Sequence, residues 1–190
     1  TLSNSGIFSG EIILTGFLHD VDGDRIFDTN PKTIGNGPTN GFLETENHDS
    51  ITISFEFADG IVLTESIPIM WNMGTIQFSN DIFFVNDSIE IHVIDPDLNL
   101  NPERIDTINI EVFSDSDNAG IEVVAIETSE RSGDFITNIT LSKDTSSGNR
   151  LHAIPGDTIF AKYNDYTLPK PFSKSDHQYV ETSAMIDHLI

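Results

Sequence analysis

Apolar and polar residues alternate with a period of two along much of this chain. The alternation is clearest in ITISFEF (51–57), SIEIHV (88–93) and TINIEVF (107–113), and GEIILTGF, IEVVAIET, FITNITLS and DTIFAKY follow it too. Successive side chains of a β-strand point to opposite faces, so this pattern predicts half-buried strands. Clusters of Gly, Asn, Asp and Pro separate the segments, as turns do, and only the tail ETSAMIDHLI carries a weak helical stripe. We therefore predict an all-β protein of Ig-like β-sandwich domains.

The chain contains an internal repeat. SGIFSGEIILT near its start matches SGDFITNITLS (132–142), and ISFEFAD, ending at Asp59, matches FAKYND, ending at Asp165. Between its two matched segments the first copy carries an insertion that includes HDVDGDRIFDTNPK. We predict that residues 85–190 form one complete unit, and that residues 1–84 form the latter part of a preceding unit in a tandem array. A strand left unpaired at the edge of the first unit would favour self-assembly.

The charge balance narrows the choice of partners. The chain has 31 acidic and 9 basic residues, for a net charge of −22. Nucleic acids and anionic membrane surfaces would repel such a chain, so small cations are the expected partners, in a medium whose salt screens the self-repulsion. No cysteine is present, so disulfides are excluded. No apolar run approaches the roughly 20 residues of a membrane span, which argues against direct membrane insertion.

The loop DVDGD places carboxylates at alternate positions. These carboxylates are Asp20, Asp22 and Asp24. Gly23, between the last two, permits a tight turn, and Asp28 follows. Alternate carboxylates on a curling loop converge on one centre, which suits Ca²⁺ and its six to eight oxygen ligands. The segment resembles the start of an EF-hand loop, but its twelfth position is a proline and not the bidentate glutamate. The alternative is an acidic, solvated hairpin loop.

The segment VIDPDLNLNPE (93–103) repeats this alternate spacing. Asp95, Asp97, Asn99 and Asn101 offer oxygen ligands between two prolines that end the preceding strand and fix the loop. These residues predict a second cation site. The alternative is a structural turn, in which Asx side chains accept hydrogen bonds from their own backbone.

The segment SDSD (114–117) could supply a second edge to this site. Asp115 and Asp117 would reach it if the strands of the two segments pair.

A catalytic role is disfavoured, because Asp95 and Asp97 lie too close in sequence to act as a glycosidase acid pair across a cleft. The six histidines show no metal-ligand spacing, and His92 is expected to face solvent from a strand. With no phosphate loop or triad arrangement, we predict that the protein is not an enzyme.

Two glycosylation sequons occur, Asn86-Asp87-Ser88 and Asn138-Ile139-Thr140, and in a surface protein both would be glycan sites. Trp71 is the only tryptophan. Core or interdomain packing is its expected role, ahead of a carbohydrate platform.

Several segments together resemble the surface-layer (S-layer) proteins of ammonia-oxidising archaea. They are SGIFSGEIILTGF, NGFLETENHDSITISFEF, WNMG, VIDPDLNLNPE, SDSD and PGDTIFAKYNDYTLP, in that order along nearly the whole chain. The resemblance implies a fragment of a large, extracellular, often glycosylated protein of tandem Ig-like domains. Such proteins assemble into a two-dimensional, often divalent-cation-dependent lattice at the cell surface. The resemblance also implies a role in concentrating ammonium.

We therefore predict a structural role for the protein. Ca²⁺ in the acidic loops would stiffen a surface module that assembles with other S-layer subunits. The alternative function is that of an adhesin-type module, which binds glycans or a neighbouring cell. A cleft with exposed aromatic side chains, among them Trp71, Tyr163 or Tyr166, would favour that alternative.

Overall fold

A computed structural model describes residues 6, 13–15, 42–44, 49–100, 104–173 and 175–188. The strands, in chain order, are β1 (Ile13–Thr15), β2 (Phe42–Glu44), β3 (Ser50–Ala58), β4 (Ile61–Pro68), β5 (Thr75–Phe78), β6 (Ile82–Phe83), β7 (Ser88–Ile94), β8 (Thr107–Ser114), β9 (Asp117–Glu127), β10 (Asp134–Ser142), β11 (Arg150–His152), β12 (Thr158–Asp165) and β13 (Gln178–Ile186). The prediction of an all-β protein is confirmed. Helix within the described residues is limited to one 3-10 turn, Pro96–Leu98. Residues 181–186 of the tail that carried a weak helical stripe lie in strand β13 instead.

The chain divides into two compact units. The first comprises Thr1–Ile69 with Leu100–Pro102, and the second comprises Met70–Asn99 with Glu103–Ile190. The second unit therefore begins at Met70 and not at the predicted residue 85. The reason lies in strand pairing, because β5 pairs with β7 and β6 pairs with β13, so residues before 85 complete the second unit's sheet.

The described strands of the first unit form two small sheets. β1 and β2 pair in parallel, and β3 and β4 form an antiparallel hairpin that turns at Gly60, whose φ is +75°. Paired positions give the hairpin one polar face, on which Thr52 and Ser66 hydrogen-bond through their hydroxyls at 2.9 Å. The opposite face carries Phe55 and Leu63, which are 52% and 61% exposed. The hairpin is thus amphipathic, as its alternating sequence predicts.

The second unit is one nine-stranded sheet that curls on itself. Its strand order is β5-β7-β10-β9-β8-β12-β13-β6, and β11 pairs with β10. The curl brings β13, near one end of this order, into contact with β5 at the other. The enclosed core holds alternate residues of each strand, such as Ile89, Ile91 and Val93 of β7, which are fully buried.

The outward-facing residues of β7 include His92. Its ring contacts the carboxylate of Asp134 on β10 and lies 3.4 Å from Gln77 on β5. The side chain points away from the core, as expected for a solvent-facing strand position, but its contacts leave it half-buried. No helix in the described part of the chain is long and apolar enough to cross a membrane.

Candidate cation site

The loop that follows β7 begins with a turn capped by Asp95. A proline at the first position of the 3-10 turn lacks the N–H that would otherwise need a partner there. The Asp95 carboxylate accepts a hydrogen bond from the Asp97 backbone N–H at 3.3 Å, and the Asn99 N–H donates to the Pro96 carbonyl. Leu98, only 2% exposed, anchors the turn in the core. The Asx-turn interpretation is therefore correct as a description of the backbone.

Strand direction brings a third aspartate to the same end of the sheet. Four antiparallel pairings connect β7 with β12 through β10, β9 and β8, so β7 and β12 run in the same direction. Asp95 directly follows β7 and Asp165 is the last residue of β12. Both residues are completely buried. The two carboxylates lie near enough that the charge of Asp165 raises the pKa of Asp95.

The two buried carboxylates are held by polar hydrogens. Asp165 accepts from the Gly74 N–H at 3.0 Å, from the Thr167 N–H at 2.9 Å and from the Thr167 hydroxyl at 3.0 Å. Asp95 accepts from the Tyr163 hydroxyl at 3.1 Å. These donors are neutral. They satisfy lone pairs but do not cancel the charges.

The segment 71–74 covers this end of the sheet. The Asn72 N–H donates to the Asp97 carboxylate. Gly74 approaches so closely that a Cβ there would lie 1.8 Å from the Tyr163 hydroxyl oxygen and 2.5 Å from Asp95 Oδ2. The WNMG segment therefore needs glycine at its last position, because any side chain would enter the carboxylate cluster.

The electrostatics of the cluster disfavour full ionisation. Burial, followed by the charges of Asp165 and Asp97, raises the pKa of Asp95 to about 7, although the Tyr163 hydroxyl acts in the opposite direction. Burial also raises the pKa of Asp97, against the lowering effect of its Asn72 hydrogen bond. Burial and the neighbouring carboxylates raise the pKa of Tyr163, which stays a neutral donor. Among the described residues, no basic group contributes to the pKa of Asp95 or Asp97.

Asn99 contributes a buried oxygen to the loop. Its amide oxygen Oδ1 accepts no hydrogen bond from the described residues. Leaving a buried acceptor unpaired is costly, and a metal ion or water can satisfy it. The donor set of two carboxylates and this amide oxygen is the hard-oxygen chemistry that Ca²⁺ prefers. As the side chains lie, however, no three His, Asp or Glu groups of the described residues are arranged to hold a metal.

Asp115 and Asp117 do not join this cluster. They follow β8, which is antiparallel to β7, and so lie at the opposite end of the sheet from Asp95. The strands that precede Asp95 and Asp115, β7 and β8, do not pair with each other. The condition under which Asp115 and Asp117 would form a second edge of the cation site is therefore not met. Asp115 instead accepts from the Thr158 N–H at 2.7 Å, and Asp117 from the Gly120 N–H at 3.1 Å and the Ser146 hydroxyl at 2.5 Å.

The remaining predicted ligands lie outside the described residues. They are the four aspartates of the first acidic loop, Asp20, Asp22, Asp24 and Asp28, and Asn101 of the second loop. Their assignment to a cation site stays a prediction.

Sequence reasoning missed Asp165 as a member of the cluster. Its signal was the Tyr-x-Asp pattern of Tyr163 to Asp165, which ends β12, whereas Asp95 directly follows β7. The aromatic side chains named for a glycan cleft are mostly unavailable, since Trp71 is 7% and Tyr163 2% exposed, whereas Tyr166 is 38% exposed.

Comparison with known proteins adds no assignment. The chain matches no protein-family model, and a search of curated proteins finds no match for it.

Proposed function

We propose that this chain is a structural module of an archaeal cell-surface layer, stabilised by divalent cations at acidic sites. One observation carries the proposal: Asp95, Asp97 and Asp165 meet at one end of the second unit, and no basic group among the described residues contributes to the pKa of either loop aspartate. Burying like charges without a counter-charge is unfavourable, so this end of the unit attracts a cation. The all-β fold and the net charge of −22 are both consistent with an extracellular surface module.

Asp95, Asp97 and the amide oxygen of Asn99 would hold the ion, with Asp165 supplying nearby negative charge. Calcium, when bound, cancels the repulsion among the carboxylates. Among the proposed ligands, the Asp97 side chain can reorient most easily. It is only half-buried, and its carboxylate accepts a hydrogen bond from the Asn72 backbone N–H. A second site would be formed by Asp20, Asp22, Asp24 and Asp28.

The acidic surface has a second role in this proposal. Its negative potential raises the local concentration of small cations, including ammonium, by an attraction that salt weakens. Ammonium enrichment would show as ¹⁵N-ammonium line broadening in the presence of the protein. Broadening that does not decrease between about 10 mM and 150 mM salt contradicts this role, because the screening length falls about fourfold over that range.

Assembly and calcium binding test the proposal. Isothermal titration calorimetry should detect Ca²⁺ binding by the EDTA-treated chain, with Mg²⁺ as the comparison. Asp95→Asn should remove one binding event, and Asp20→Asn combined with Asp22→Asn should remove another. Electron microscopy should then reveal ordered sheets of protein with Ca²⁺ and their loss in EDTA. Heat of binding that all these variants retain contradicts the cation sites, and absence of any ordered assembly contradicts the surface-layer role.

A further inference from the structure

Three aromatic rings and a lysine cluster on the outer face of β8, β12 and β13. The rings of Phe113 and Phe160 stack with their centroids 5.1 Å apart. The Lys162 ammonium lies 5.6 Å from the centroid of Phe113 and 4.6 Å from that of Tyr179. Core residues alternate with these along β12, so the cluster faces away from the core. The two phenylalanine rings are half-buried and Tyr179 is 51% exposed, and aromatic groups that remain accessible on a surface commonly mark a binding site.

The backbone beside Phe113 leaves a pocket. The pairing of β8 with β9 shifts register between Val112 and Ser114, and Gly120 has a φ of +59°. A Cβ at Gly120 would lie 2.1 Å from the Val112 carbonyl oxygen and 2.8 Å from the Phe113 Cβ. The irregular pairing and the glycine thus allow the start of β9 to lie close against β8. A cavity of about 230 Å³ opens there.

The pocket combines an apolar ring with hydrogen-bonding groups. Its lining residues include Phe113, which carries the ring, Asn118, which carries an amide, and the charged residues Glu111, Glu122 and Lys162. A sugar presents C–H groups on one face of its ring and hydroxyl groups around its edge, which matches this combination. The volume lies below the roughly 300 to 1,000 Å³ of pockets for drug-sized ligands, so it suits a single sugar residue.

Charge selects a neutral ligand. Lys162 pairs with Glu111 at 3.1 Å, so its charge is already compensated, and Glu122 adds a further negative charge. An acidic sugar would be repelled by the carboxylates. A ligand cation would compete with Lys162, which already lies near the rings of Phe113 and Tyr179. We propose that this pocket binds one neutral pyranose residue, as an adhesin-type module would require.

Saturation-transfer NMR with the full chain tests this assignment. The probes are D-glucose, D-galactose and N-acetyl-D-glucosamine, with D-glucuronate as the acidic comparison. At least one neutral sugar should receive saturation, with a dissociation constant on the order of millimolar, as expected for so small a ligand. Absence of transfer to all three neutral sugars, or equal transfer to glucuronate, overturns the proposal.

Two pairs of variants locate the binding. Phe113→Leu keeps apolar volume but removes the ring, and should weaken binding at least tenfold, whereas Phe172→Leu, a matched change elsewhere, should not. Asn118→Ala changes an exposed residue at the start of β9 and should weaken binding several-fold, whereas Asn164→Ala should not. Melting curves confirm that each variant is folded. Binding that survives both pocket variants overturns the assignment. EDTA should leave sugar binding unchanged, which separates this site from the cation proposal.

Discussion

The two ends of the second unit carry the same Asp-x-Asp spacing in very different surroundings. At one end, Asp95 is fully buried and shares its surroundings with Asp97 and Asp165. At the other end, Asp115 is exposed, and Asp117 has its carboxylate bonded by a hydroxyl and a backbone N–H. Those hydrogen bonds, led by that of Ser146, lower the pKa of Asp117, whereas burial raises the pKa of Asp95.

Asp-x-Asp spacing alone therefore does not define a cation site. Carboxylates that curl around backbone N–H groups near solvent are stable without a counter-ion. Carboxylates brought together in the interior by separate strands need a proton or a cation. The same motif therefore has a structural role at one end and a candidate binding role at the other.

The largest expected effect concerns pH. The folded-state pKa of Asp95, about 7, lies above its ordinary value of 3.8, so the native state keeps a proton that the unfolded chain releases. Its contribution to stability is fully present below about pH 4 and is lost as pH rises through about 7. In EDTA, this group alone should lower the free energy of unfolding by about 3 kcal/mol between pH 5 and pH 8. Urea unfolding at the two pH values measures the loss.

Two asparagine variants serve as the comparison. Asp95→Asn should remove most of that pH dependence, and Asp117→Asn should retain it. If wild type and Asp95→Asn lose equal stability between pH 5 and pH 8, the Asp95 carboxyl is not the group that keeps a proton in the native state.

Removing Asp165 should cost somewhat less. Asp165→Ala leaves the Gly74 N–H, the Thr167 N–H and the Thr167 hydroxyl without their acceptor in a buried place. We expect a loss of about 2.5 kcal/mol, because unpaired buried donors outweigh the relief of repulsion with Asp95. Asp115→Ala, the counterpart at the exposed end, should cost under about 1 kcal/mol. Equal losses in chemical denaturation would remove the distinction between the two ends.

A smaller effect is expected at the segment that covers the cluster. Gly74→Ala places a methyl group against the Tyr163 hydroxyl and Asp95, which should cost about 1.5 kcal/mol or more. It should also weaken Ca²⁺ binding. Gly148→Ala is the matched control, since it has open space around its Cβ and only its φ of +59° to oppose it. Unaltered Ca²⁺ affinity in Gly74→Ala would place the ion elsewhere.

The smallest expected effect is at Asp117. Asp117→Asn removes a charge but keeps an acceptor for the Gly120 N–H, so thermal unfolding should shift by no more than about 1 kcal/mol in stability. Its Ca²⁺ response should equal that of the wild type. A weakened response would return Asp117 to the set of ligands.

Sequence patterns predicted the strands well and the site in part. Alternation in SIEIHV and TINIEVF placed β7 and β8, because strand periodicity depends on neighbouring residues alone. The turn at Asp95 was also readable from its Asx and proline residues. Asp165 was not linked to it, since their meeting depends on the order of five strands. The same cause misplaced Asp115 and Asp117, and it concealed the pairing of β5 and β6 with the second unit.

Whether the buried carboxylates of the second unit bind Ca²⁺ can be measured by thermal unfolding at pH 8, first in EDTA and then with Ca²⁺ at about a hundred times its dissociation constant. Such a ligand adds roughly 2.7 kcal/mol, which should raise the melting temperature by several degrees. To isolate the second unit, the background should be Asp20→Asn with Asp22→Asn. We predict that the rise persists in that background and in Asp117→Asn, and that Asp95→Asn added to the background abolishes it. If sodium chloride of equal ionic strength raises the melting temperature as much, or if the rise persists in Asp95→Asn, Ca²⁺ does not bind at Asp95.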